Sequence, residues 1–266
     1  MFGNICDSRM KKAYIILAPS WTEISSGPRA LHLLAHELNN TGQDAYIFPE
    51  NSQGFALNPN LNTKLLKPEY ANYYRENIIA VYPDVTRGNP LNSRHVVRWL
   101  LAPAGQYGGD KEFLESDHIW CFRQDIAEQQ KTDKILCLPT FKPHIFFDNN
   151  SPRSGTCFYA HKYDRIHGNS LLPITENSLR LEGTPEYIAS ILQRSEKCYL
   201  YEPSEIKVHS AMAGCPVEEV ITPYFQGMGE QPDFFLYGKV RTPEDMYSRF
   251  KGQLNRFIEQ TQCTNS

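Results

Sequence analysis

The feature that most constrains this chain is a repeated alternation. Short, wholly apolar runs are followed by stretches whose apolar residues recur every three or four positions. The run Ala13–Ala18 comes first, and a loop rich in Ser, Gly and Pro follows at 20–28. Residues 29–40 then place Ala30, Leu31, Leu34, Ala35 and Leu38 on one side of a helix that Gly42 would stop. Further apolar runs at 45–48, 78–82, 118–122 and 135–138 predict strands. A helix is predicted over 93–101, with Val96, Val97, Leu100 and Leu101 inward, and the polar stretch 49–68 predicts a long loop. This punctuation is that of βαβ units, in which helices pack on a parallel sheet.

Residues 139–155 interrupt the pattern with Pro139, Pro143, Pro152, Asn149, Asn150 and Gly155, a composition suited to a junction. Beyond it the alternation restarts. Strands are predicted at 156–160, 172–175, 198–201 and 217–222, with helices at 185–194 and 204–213. A final amphipathic helix over 243–260 carries Met246, Phe250, Leu254, Phe257 and Ile258 on one face. The expected fold is α/β, with two Rossmann-like domains at residues 1–150 and 151–266 and a last helix able to pack back on the first. A chain of 266 residues suits two such domains of roughly 130 each.

Charge and cysteine usage exclude several classes. With 27 Lys and Arg against 30 Asp and Glu, the net charge of -3 lacks the basic surplus of a general nucleic-acid binder. No apolar run approaches the ~20 residues that cross a bilayer. Arg9, Lys11 and Lys12 ahead of Ala13–Ala18 resemble the start of a signal peptide, but the run is short and no small-residue cleavage site follows. The 7 cysteines are odd in number, scattered, and never at C-x-x-C spacing, which suggests neither a disulfide framework nor a zinc site. A cytoplasmic setting is expected, with room for peripheral association at the inner face of the membrane. His32 and His36 lie one helical turn apart, but His36-Glu37 lacks the downstream His of a zincin, so no metal is expected.

The most specific segment runs from Cys198 through Tyr201, Glu202, Ser204, Glu205, Ile206, Lys207 and His209 to Gly214-Cys215-Pro216-Val217. It reads as strand, tight turn, helix, stop and strand. Ser204 can cap the helix, whose first amides would then face the carboxyl edge of the strand, where phosphates bind in open α/β sheets. Lys207 would add positive charge there. The same residues also fit a plain cap, a plain stop and a solvated lysine.

This segment resembles the nucleotide-binding stretch in the second domain of GT-B-fold glycosyltransferases, particularly those of bacterial surface-polysaccharide clusters. Tyr201-Glu202, Ser204, Ile206, Ala211 and Gly214-Cys215-Pro216-Val217 carry the likeness. Two further stretches are similar to the first domain of such enzymes. One is Ser26-Gly27-Pro28-Arg29 with the helix after it, Gly42 and Ala45-Tyr46; the other is Val81-Tyr82-Pro83-Asp84 with Gly88-Asn89-Pro90 and Val96-Val97-Arg98-Trp99. The matches touch both halves in the family's order. One departure is His209, which stands five residues before Gly214, where the family has a Glu that binds the nucleotide ribose. An imidazole offers different hydrogen bonds from a carboxylate, so ribose would be held with altered geometry, or by Glu202 or Glu205.

The resemblance implies a GT-B-like fold, with the two domains facing a central cleft. It also implies transfer of a sugar from a nucleotide-sugar donor to a glycan or other acceptor hydroxyl, without an obligatory metal or other cofactor. Lys162 and Arg165, with His161 beside them, would neutralise the donor diphosphate as charge grows on the leaving group. Inversion would need a base for the acceptor hydroxyl; Asp84, at the carboxyl end of a strand, is the candidate, and it equally fits a turn residue after Pro83. Ser26, Gly27, Arg29, Asn89 and Arg94 would line the acceptor side. The short length for this fold leaves room for a partner subunit or a homo-oligomer. A non-catalytic GT-B-like module that binds glycan or scaffolds a transferase is the alternative, motivated by His209 and the compact length. A Rossmann-type epimerase is disfavoured because no G-x-G-x-x-G follows the first strand.

Overall fold

The computed structural model describes residues 11–23, 25–51, 53–67, 77–140, 142–168, 174, 176–227, 235–236, 239–240 and 243–263. The chain divides into two compact units, Met1–Thr140 with Glu244–Ser266, and Phe141–Pro243. The division falls at the start of the stretch expected to be the junction, ahead of the expected boundary at 150, because Ile145 and Phe146 already pack into the core of the second unit.

The first unit holds β1 (Ala13–Ala18), α1 (Ser26–Asn40), β2 (Ala45–Pro49), β3 (Lys64–Leu65), β4 (Ile78–Pro83), β5 (His95–Leu100), β6 (His118–Cys121) and α2 (Gln124–Gln129). Its sheet is wholly parallel with strand order β3-β2-β1-β4-β5-β6. Every residue of β1 and β4 is buried, as expected of parallel strands covered on both faces. One face (Tyr14, Ile16, Ile79, Val81, Val97, Trp99) packs on Leu31, Leu34, Ala35 and Leu38 of α1.

The predicted helix over 93–101 is instead strand β5. Val97 and Trp99 join the core on the α1 face, while Val96 and Leu100 join clusters on the other. A short apolar run fits both periods, and here the β-branched Val96-Val97 pair and coverage on both faces decide for a strand. The strand expected at 135–138 is reduced to a bridge between Ile135 and Cys121.

The second unit holds β7 (Thr156–Tyr159), α3 (His161–His167), β8 (Leu179–Arg180), α4 (Pro185–Arg194), β9 (Lys197–Leu200), α5 (Ile206–Met212), β10 (Val217–Glu219) and a two-stranded ribbon of β11 (Phe235–Leu236) and β12 (Lys239–Val240). Its four-stranded parallel sheet has the order β10-β9-β7-β8. The strand expected at 172–175 falls almost wholly outside the described residues. Arg153 fastens α4 and α5: Nη1 donates to the carbonyls of Leu192 (2.9 Å) and Ser195 (3.1 Å), and Nη2 to that of Ala213 (2.6 Å). One guanidinium thereby meets the negative ends of two helices.

The last helix, α6 (Pro243–Gln262), returns to the first unit, where Phe250, Leu254 and Phe257 enter the α1-side core. Phe257 stacks on Tyr14, whose hydroxyl bonds Thr261 at 2.7 Å. Among the described residues, no helix is long and apolar enough to cross a membrane.

Candidate functional site

Each sheet has one pair of neighbouring strands from which the chain winds outward in opposite directions: β1 and β4 in the first unit, β7 and β9 in the second. In open parallel sheets the crevice at the carboxyl ends of such a pair is where ligands bind.

At the β1–β4 crevice, Asp84 directly follows β4 and is 5% exposed. Its Oδ1 accepts the amides of Leu101 (3.1 Å) and Ala102 (3.2 Å), which fixes the carboxylate at the sheet edge. Gly27 lies near Leu101, since a Cβ there would approach the Leu101 side chain to 4.0 Å. Ser26 is exposed at the start of α1, whereas Arg29 is buried and its Nη1 donates to the Glu23 carbonyl at 2.6 Å.

Two of the expected acceptor residues do not join this group. Asn89 accepts from the Tyr82 hydroxyl (2.7 Å) and the Ser93 amide (3.1 Å) and donates to the Ser93 carbonyl (2.8 Å), so it folds its own turn. Arg94 precedes β5 and is exposed at the amino edge of the sheet, opposite to Asp84. A helix at 93–101 would have carried it differently; the strand excludes it from the crevice.

Sequence reasoning missed the role of His32, which is fully buried. Its ring lies between Trp21 (centroids 5.6 Å) and Phe55 (6.0 Å), and Nε2 bonds the Pro19 carbonyl at 2.9 Å. Burial holds its pKa below the usual histidine value, against the opposing effect of the Pro19 bond. The helical spacing of His32 and His36 does not bring their nitrogens to one point. His36 accepts the Asn62 amide at 2.8 Å and meets Asn40 at 3.0 Å.

At the β7–β9 crevice, α3 begins directly after β7 and carries His161 and Arg165, both exposed, and the half-buried Lys162. Glu202 comes from the facing strand end and is fully buried. Its Oε2 accepts the Tyr163 amide at 2.6 Å, a bond that spans the crevice floor. Burial raises its pKa, while the Tyr163 and Lys162 amides and the charges of Lys162 and His161 work the other way.

The helix after Tyr201 departs from expectation. Its opening amides are taken by the chain: Ile206 N–H donates to Ser204 Oγ (3.2 Å) and Lys207 N–H to the Ser204 carbonyl (3.2 Å). The Val208 and His209 amides bond the Glu205 carbonyl at 2.9 and 3.1 Å. No row of open amides is therefore presented by α5. Ser204 Oγ thus meets an opening amide of α5, while the N-cap position itself is Glu205, without a side-chain cap bond.

Nor do all the side chains face a ligand. Ile206 is in the core. The Lys207 ammonium pairs with Glu219 Oε1 at 2.7 Å. His209 is 6% exposed and stacks on Phe146, and Glu205 Oε2 lies 3.9 Å from its Nε2. An open hollow of about 400 Å³ is lined by Lys207, Ala211 and Gly214 through Val217. It reaches the residues before β10, the amino edge of the sheet, and so lies away from the carboxyl-edge crevice. Among the described residues, the basic side chains that α3 brings to that crevice are His161, Lys162 and Arg165.

Compared with protein-family models and with curated proteins, the chain matches none.

Proposed function

We propose that this chain is a glycosyltransferase that moves a sugar from a nucleotide-sugar donor to a glycan or other hydroxyl acceptor. One observation carries the reading. In both parallel sheets, polar side chains singled out from the sequence stand at the carboxyl ends of the two strands where the winding reverses. The likeness of the Tyr201 to Val217 segment to GT-B-fold enzymes suggests the reaction. The opening of α5 is taken by the chain itself, so the donor contacts are assigned to α3. A facing arrangement of the two units is part of what is proposed.

In this reading the second unit holds the donor. His161, Lys162 and Arg165 take the diphosphate, and their positive charge offsets the negative charge developing on the leaving group without a metal. The first unit holds the acceptor near Ser26 and Gly27. Asp84 takes the hydroxyl proton while the acceptor oxygen bonds the sugar and the nucleotide leaves with the electrons of the broken bond. The setting that suits this work is the cytoplasmic side of the membrane. The test is a transfer assay with UDP-, GDP-, dTDP- and CMP-sugars and hydroxyl acceptors, read as acceptor-dependent nucleotide release. Release that is lost in Asp84→Asn supports the reading; absence of release from every donor removes it.

A second reading, a non-catalytic module that binds glycan or a partner transferase, is favoured by the capped opening of α5, the Lys207–Glu219 pair and the packed His209. It predicts glycan binding without nucleotide binding.

A further inference from the structure

Helix α3 is short and poorly equipped to stand alone. It spans 7 residues, and Ala160 at its N-cap offers no side-chain acceptor. Isolated helices of this length are not stable in water, and their first amides need partners from elsewhere. Here the partner comes from another strand: Glu202, after β9, accepts the Tyr163 amide at 2.6 Å. The residue before it completes the grip, because the rings of Tyr201 and Tyr163 lie 5.3 Å apart. On its other side the Tyr163 ring meets His167 at 4.9 Å. Tyr201 and Glu202 thus hold one turn of α3 by an amide and a ring at once.

Burying a carboxylate is costly unless it is well bonded, yet Glu202 has no exposed surface and its Oε1 makes no hydrogen bond. A stability role alone would be met by a short polar cap on α3 itself, such as Ser or Asp in place of Ala160. A carboxylate from β9 does something a local cap cannot: it ties the two sides of the crevice together and sets a negative charge behind the cations of α3. The charged groups that act on it are His161 and Lys162 from α3, and its own charge, with that of Glu205, acts on Tyr159 of β7.

We propose that Glu202 is a positioning residue for phosphate recognition. Its buried carboxylate fixes the first turn of α3 so that His161 and Lys162 are presented to the diphosphate of a bound nucleotide sugar. This rests on the donor reading above and replaces the direct ribose contact expected of Glu202. An anion beside Lys162 repels the Glu202 charge, so binding is linked to proton uptake: affinity rises as pH falls through the titration of Glu202. A glutamine keeps the acceptor for the Tyr163 amide and removes the charge.

The test uses the full chain, a nucleotide-sugar panel by calorimetry, and hydrogen exchange over 161–167. Glu202→Ala is expected to lose exchange protection in α3 and to weaken nucleotide-sugar binding by roughly tenfold or more, the scale of one charge-assisted hydrogen bond. Glu202→Gln is expected to keep the protection and bind, with a flatter affinity profile than wild type as pH falls into the acid range. Should Glu202→Ala not fold, the Glu202→Gln profile decides. An unchanged profile in Glu202→Gln, unchanged α3 exchange in Glu202→Ala, or lost exchange with unchanged affinity would each overturn the inference while leaving the donor reading intact. A wild-type chain that binds no nucleotide sugar would remove the donor reading, and the inference with it.

Discussion

His209 lies flat on Phe146, with ring centroids 3.8 Å apart and planes at 1°. This contact turns a residue expected to meet a nucleotide ribose into part of the packing between α5 and the segment leading into β7. His209→Ala is therefore expected to lower unfolding stability by about 1–3 kcal/mol through lost burial and stacking. Nucleotide affinity should stay within error. Urea unfolding and calorimetry on the same samples check both halves; a drop in affinity at unchanged stability would return His209 to the ligand.

Asp84 separates charge from scaffolding. An asparagine can still accept the Leu101 and Ala102 amides through its side-chain oxygen, whereas alanine leaves both without it. Asp84→Asn should thus remain within about 1 kcal/mol of wild-type stability, and Asp84→Ala should lose about 1–3 kcal/mol. Turnover should fall in both, with donor affinity retained in Asp84→Asn. Wild-type turnover in Asp84→Asn would exclude Asp84 as the base.

His32 predicts a pH dependence. Its folded pKa is below the usual value because burial disfavours the charged ring, so the unfolded chain binds the proton more readily. The stability it contributes is present above roughly pH 6.5 and is lost as pH falls from there through the folded value. His95 and His118 are shifted the same way by burial, so the contribution of His32 is read as a difference. Stability measured from about pH 7.5 to 5 should fall less steeply in His32→Phe than in wild type. Equal slopes would contradict this account.

Arg153 is expected to matter to the second unit far more than a surface arginine would. Arg153→Ala removes the donor to the carbonyls of Ser195 and Ala213 and one of two donors to that of Leu192, a loss of about 2–4 kcal/mol in unfolding stability. Arg153→Lys should recover only part of it, since an ammonium cannot reproduce the fork. Full recovery by lysine would show that charge alone matters.

The sequence made the α/β class legible because buried parallel strands leave wholly apolar runs and surface helices leave a turn-length stripe. Ala13–Ala18, the stripe of α1, and Phe250 with Leu254 and Phe257 are read directly in this way. Strand β5 was not, and its misreading hid Arg98. As a strand residue, Arg98 is 4% exposed, bonds Asp117 at 2.8 Å and lies 5.3 Å from the rings of both Tyr82 and Phe113. Which strands neighbour each other is set by long-range pairing, which no local period records, so the two crevices emerge only from the fold.

The candidate site was legible in part for a similar reason. Residue type and position after a strand find Asp84, Lys162 and Arg165 at the carboxyl edges. They do not reveal that Lys207 meets Glu219, or that Glu202 turns inward to α3. Those outcomes depend on partners a dozen to forty residues away. The helix at 161–167 was itself not anticipated from the sequence, and Ala160 leaves it without a cap of its own.

The central claim is that the β7–β9 crevice binds the diphosphate of a nucleotide sugar through the cations of α3. Calorimetric titration of the full chain with UDP-, GDP-, dTDP- and CMP-sugars, repeated on Lys162→Ala and Arg165→Ala, tests it most directly. The account predicts that at least one donor binds wild type with a dissociation constant near the micromolar range, about -8 kcal/mol, and that either variant weakens it. Absence of binding across the panel, or binding that neither substitution alters, would contradict it.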